Sequence, residues 1–104
     1  MDLVDAGQRA EECVRRSHPF HSFADHAELD EVQAEYADLF VSVVRDLTMS
    51  LGHPRFNGDR YGSGFPSWSE AEQLAVWAHG DLAAWIGVFH PRVDDPYELR
   101  IGVR

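Results

Sequence analysis

The chain is expected to fold as an α+β domain, with two N-terminal helices, the second long, packed on a C-terminal antiparallel sheet of three to four strands. Three observations predict it. Residues 25–51 repeat apolar side chains every three or four positions, as one face of a helix requires. Residues 74–103 instead alternate apolar and polar side chains, as a half-buried strand does. Helices first and a strand meander afterwards place the two classes in separate layers.

The first helix is expected over Asp2–Arg16, with Leu3, Ala6, Ala10 and Cys13 or Val14 on one side. Arg15 and Arg16 complement the dipole in its last turn, while Gly7 weakens it by about 1 kcal/mol relative to Ala. Ser17-His18-Pro19 ends it, because the residue before a proline is pushed out of the α region. Phe20 and Phe23 in the connector read as plugs beneath the helix pair.

The second helix is bounded at both ends over Asp25–Leu51. Asp25 can cap it, with Glu28 in the capping-box position. Gly52 supplies a left-handed stop, and His53-Pro54 follows it. Its stripe is Leu29, Val32, Tyr36, Leu39, Val43, Leu47 and Leu51, and Phe40, Val41 and Val44 widen it, so the later part is expected to be the more buried. Asp30, Glu31, Glu35 and Asp38 occupy the other faces.

His53 to Trp68 is rich in glycine, asparagine and proline, and a structureless loop of that length is unusual in a compact domain. A short strand is therefore expected near Arg55–Asn57, with Gly58 to Pro66 a functional or tightly folded loop. A helical turn is expected at Trp68–Glu72, because Ser67 and Glu70 have capping-box spacing. Strands follow. Leu74, Val76 and Ala78 share a face, then Leu82, Ala84, Ile86 and Val88, then Leu99, Ile101 and Val103, with Glu98, Arg100 and Gly102 pointing outward. His79-Gly80-Asp81 reads as a hairpin turn and Arg92 to Pro96 as a longer one. Trp77, Trp85 and Phe89 are expected on the opposite face, which is too apolar for free exposure and calls for something that covers or binds it.

Composition narrows the function. A chain of 104 residues suits one domain, 1–104, that buries roughly 65% of its unfolded surface. With 44% hydrophobic residues it is too apolar for disorder despite a net charge of −9. No apolar run is long enough to span a membrane, and Met1 to Asp5 lacks the basic and apolar regions of a secretion signal. Cys13, the single cysteine, excludes an internal disulfide and fits a reducing compartment. The expectation is cytoplasmic. All nine basic residues are arginine, which rules out a lysine Schiff base and a standard P-loop. Residues 1–52 carry 11 acids and 4 arginines, for −7, and residues 53–104 carry 7 acids and 5 arginines, for −2. An acidic helical half disfavours nucleic acid and anionic membranes and favours a basic partner.

Candidate chemistry is sparse. His18, His21 and His26 with Asp25 fall close together, but His-Pro-Phe-His has no standard zinc scaffold, and no metal or other cofactor is expected. His18, His53 and His90 each precede a proline at an expected boundary. Cys13 reads as packed rather than nucleophilic. Asp94-Asp95 reads as a turn pair, and Gly62-Ser63-Gly64 as a weak phosphate-loop resemblance. No metalloprotease, nucleophile-elbow or dinucleotide pattern occurs. Catalysis is not expected.

The same region reads better as a recognition surface. Arg55, Arg60, Tyr61, Phe65 and Trp68 are of the types that dominate binding hot spots, set among small residues that let a loop adapt. The leading expectation is a non-catalytic protein-binding domain, in its sharpest form an acidic immunity or antitoxin-like protein that occludes a basic toxin. Glu31, Glu35 and Asp38 would steer that partner and the arginine–tyrosine loop would make a second contact. Two alternatives stand beside it. One is a ligand-binding or enzymatic domain with a pocket between helices and sheet, lined by Trp77, Trp85 and Tyr61 with His79 or His90. The other is a self-associating domain, a homodimer through the aromatic face or the last strand.

Overall fold

Among the described residues, one helix and one sheet make the fold. In a computed structural model, residues 11–18, 26–92 and 95–104 are described. They form β1 (Glu11–Arg16), α1 (His26–Leu51), β2 (Phe56–Asp59), β3 (Gln73–His79), β4 (Leu82–Phe89) and β5 (Glu98–Val103). The strands pair antiparallel throughout, in the spatial order β1-β5-β4-β3-β2. No helix among the described residues is long and apolar enough to cross a membrane.

The helix follows its pattern. Val32, Tyr36, Phe40 and Val44 recur every four residues and are buried against Ala75, Trp77, Ile86, Val88, Tyr97 and Leu99. Leu29, Leu39, Val43 and Leu47 pack beside them, half-buried. The expectation that the later part is the more buried does not hold: Tyr36 and Phe40 are the most buried, Leu47 is half-buried, and Met49 and Leu51 are exposed, as is Val41 on the outer side. Length explains it. A helix of 26 residues runs about 39 Å at 1.5 Å per residue, whereas the longest strand, of 8 residues, covers about 27 Å. The helix therefore overhangs the sheet. Gly52 ends it with φ +87°, and its carbonyl accepts a hydrogen bond from Trp77 Nε1 at 2.9 Å, which ties the helix end to β3. Asp25, the expected cap, lies outside the described residues, as do Phe20 and Phe23.

The first expected helix is corrected. Residues 1–10 lie outside the described residues, and Glu11–Arg16 is a strand paired with β5. Glutamate and arginine are good helix formers, but propensity is a weak prior that tertiary context overrides, and an open edge on β5 offers this segment a ladder of hydrogen bonds that local preference does not outweigh. Cys13, expected to be packed, is exposed. The sheet thus has five strands rather than three or four. β2 is the expected short strand, two residues further along at its end. The expected helical turn at Trp68–Glu72 is only a turn closed by Ser69 N–H on the Pro66 carbonyl at 3.4 Å, after which the chain is extended.

The hairpin decides the faces. His79 pairs with Leu82 across Gly80-Asp81, so even positions of β3 oppose odd positions of β4. Val76 faces Trp85, and Trp77 faces Ala84. The expected grouping of Trp77 with Trp85 and Phe89 is therefore wrong: a two-residue turn changes parity between the strands. Trp77 is 3% exposed under α1, while Trp85 and Phe89 pack with Leu74, Val76 and Ala71 on the other side. Gly80 makes the turn with φ +62°. Replacing it with Ala puts a Cβ in the left-handed region and is expected to cost about 1–2 kcal/mol, measurable as a lower urea midpoint with unchanged m.

Candidate functional site

The face of the sheet away from α1 carries a groove of about 890 Å³. Its floor comes from β4, where alternate positions place Trp85 and Phe89 on one side of the sheet, their rings 5.9 Å apart. Trp68, brought in by the segment between β2 and β3, extends the row at 6.3 Å from Trp85. Two guanidinium groups lie over this row. Arg100 of β5 sits 4.4 Å from the Phe89 ring centre, and Arg104 sits 4.3 Å from that of Trp68. Arg104 is held there by its backbone, which donates to and accepts from Ala83 at 2.9 and 2.8 Å. Ring quadrupoles attract such cations, so aromatic and arginine positions fix each other.

The rim is ionic. Glu98 is only 8% exposed, although alternation placed it outward. It accepts from Arg16 Nε at 2.5 Å and from Arg100 Nε at 2.7 Å, and Arg100 reaches on to Glu11 at 3.1 Å. Burial alone would raise the Glu98 carboxyl, but hydrogen bonds and charge from Arg100 and Arg16 outweigh it and hold the group below its ordinary value. Arg16 is raised by its hydrogen bond to Glu98. For Arg100, burial works downward, yet the bonds to Glu98 and Glu11 raise it on balance. The other side of the groove has Arg60, paired with Glu72 at 3.2 Å, and Glu70.

No known protein family, curated protein or solved structure matches this chain. The groove is therefore read from its own groups. Ser67 and Ser69 line it, but among the described residues no histidine or cysteine does, and the Ser69 hydroxyl already accepts from Ala71 N–H at 3.1 Å. What it offers is flat aromatic and guanidinium surface.

Of the residues singled out by sequence, the groove gathers Arg60 and Trp68. Tyr61 stands beside Arg60 at 89% exposure, in a turn where its N–H donates to Asp59 Oδ1 at 3.0 Å. Phe65 turns inward, edge-on to Phe56 at 5.7 Å, and Arg55 is exposed next to β2. Glu31, Glu35 and Asp38 are exposed on α1, on the opposite side of the sheet, and Glu35 pairs with Arg15 at 3.0 Å. Sequence reading missed Arg100, Arg104 and Glu98. Their signal was the β5 alternation, which becomes informative only once Gly87 is known to face Arg100.

A second concavity, of about 430 Å³, opens between the end of α1 and the sheet, lined by Leu47, Leu51, Trp77, Ala84, Ile101 and Val103 among others. Trp77 and Trp85 are there as expected, whereas Tyr61 and His90 are not. His90 stacks on Tyr97 at 3.9 Å. Of the histidine cluster, His21 and Asp25 lie outside the described residues, and His18 contacts Glu28 at 3.1 Å. Among the described residues, no three His, Cys, Asp or Glu side chains converge as metal ligands.

Proposed function

We propose that the protein is a non-catalytic binding domain for another protein, with the open-face groove as its contact. The row Trp68–Trp85–Phe89 beneath Arg100 and Arg104 carries this reading. Tryptophan and arginine are the side chains whose burial dominates protein interfaces, and here packing pre-orders them, which lowers the entropy lost on binding. A partner segment with aliphatic and acidic side chains fits a floor of rings and a rim of guanidinium groups. The net charge of −9 favours a partner that is basic as a whole. Glu31, Glu35 and Asp38 act in its approach, because steering works at distances beyond contact. In its sharpest form the partner is a basic toxin, and the domain an immunity protein that occludes it.

The test uses tagged protein as bait in lysate of its own host, beside W68A/R104E and E31R/E35R/D38R. The expected result is one stoichiometric basic protein held by the wild type. Its affinity should fall about tenfold or more with W68A/R104E, the loss of one hot spot. The triple reversal should slow association at low salt and matter little at high salt. Toxicity of the partner alone would make the function immunity. Partner binding unchanged by W68A/R104E would remove the groove, and a wild-type bait that holds nothing would remove the protein-binding reading. The second concavity then favours a small apolar ligand between α1 and the sheet.

A further inference from the structure

We infer that the protein forms a two-fold dimer through its edge strand, β1 of one copy pairing antiparallel with β1 of a second copy. Among the described residues, β1 ends the strand order and pairs only with β5. All six of its residues are exposed, so the N–H and C=O groups on its outer side form a template for another strand.

The charges choose that strand. Glu11-Glu12-Cys13-Val14-Arg15-Arg16, laid antiparallel on itself, sets Glu11 opposite Arg16, Glu12 opposite Arg15, and Cys13 opposite Val14. Opposite charges facing across a strand pair stabilise it, and a two-fold axis repeats each pair. Four ion pairs then cross one seam.

The strand irregularity makes this geometry possible. In a regular strand, residues five apart project to opposite faces, so Glu11 and Arg16 could not meet across a two-fold axis perpendicular to the sheet. β1 has a bulge between Cys13 and Arg15 that adds one residue. Glu11 then opposes Gly102 and Arg16 opposes Glu98, both on the groove face. Glu12 opposes Ile101 and Arg15 opposes Leu99, both on the helix face. Acid and base thus share a face in both halves of the strand, and pairing yields one continuous sheet of twice the width with both helices on one side. The contacts that Glu11, Arg15 and Arg16 already make leave their side chains 45%, 54% and 60% exposed, with room for a second partner. The other edge, β2, reads Phe-Asn-Gly-Asp and has no base to set against its acid, so it lacks this self-complementarity.

Solution mass over a range of concentrations tests the inference independently of any partner in the groove. The wild type should dimerise. E11R/E12R and R15E/R16E should each weaken the dimer more than about tenfold, since four facing pairs become like-charged. An equimolar mixture of the two should restore a dimer holding one copy of each, because every seam position again pairs acid with base. A wild type that stays monomeric overturns the proposal. So do variants that dimerise as the wild type does, or folded variants that fail to associate when mixed. Should either variant not fold, amide exchange of wild-type residues 12–16 decides: slower exchange at higher concentration supports the seam, and unchanged exchange overturns it.

Discussion

Replacing Trp77 with Ala is expected to cost about 3–5 kcal/mol, the range for removing a large aromatic from a core. The residue is 3% exposed between β3 and α1, and its indole N–H is the hydrogen-bond link from the sheet to the carbonyl that ends the helix. Phe retains most of the packing and loses that bond, so Trp77→Phe is expected to cost less, about 1–2 kcal/mol. Trp68, 38% exposed at the groove, is expected to cost less than Trp77 when cut to Ala. Urea unfolding of the three variants gives the comparison. Equal losses at Trp77 and Trp68 would contradict the assignment of these two tryptophans to opposite sides of the sheet.

The second large effect is expected at Glu98. Its carboxylate is shielded from water and receives hydrogen bonds from Arg16 and Arg100. Glu98→Gln keeps the shape, removes the charge and leaves Arg100 partly buried beside a neutral amide. A loss of about 1.5–3 kcal/mol is expected near neutral pH, the range for hydrogen bonds that involve a charged group. The pH dependence has a definite sign. The carboxyl is lowered in the folded protein relative to its ordinary value of 4.5, so folding favours its ionised form. That stabilisation is complete above the ordinary value and disappears as pH falls through the lower, folded one. The wild type and Glu98→Gln should therefore converge in strongly acidic solution. A gap of constant size from neutral to strongly acidic pH would show that the amide disturbs packing rather than charge.

These two residues show where reading along the chain stopped. Helix α1 could be bounded from sequence because its signals are local. Apolar spacing, a glycine able to take φ +87° and a following proline all lie within the segment they describe. The hairpin at Gly80-Asp81 was legible for the same reason, and so was the alternation of β5. The two faces of β3, β4 and β5 were each correctly separated, with Leu74 and Val76 on one side of β3 and Leu99 and Ile101 on one side of β5.

What joins the strands was not local. Whether Trp77 shares a face with Trp85 depends on the pairing register, and a shift of one residue reverses every side chain. The register here pairs Val76 with Trp85, which sends one tryptophan to the core and the other to the groove. Glu11–Arg16 had no sequence mark of a strand, because its strand character comes from the free edge of β5, about ninety positions along the chain. The groove suffers from the same distance. Trp68 stood out by composition, but Arg100 and Arg104 acquire meaning only when β4 and β5 lie side by side with Phe89 and Trp85 between them and the loop. The sequence by itself determined one amphipathic helix, a meander of strands, an acidic helical surface and the absence of familiar catalytic motifs, all properties of neighbouring residues. Tertiary structure alone decided which face each tryptophan occupies, that residues 11–16 close the sheet, and that a buried carboxylate organises the arginines around it, because each rests on contacts between segments whose separation in the chain leaves no periodic trace.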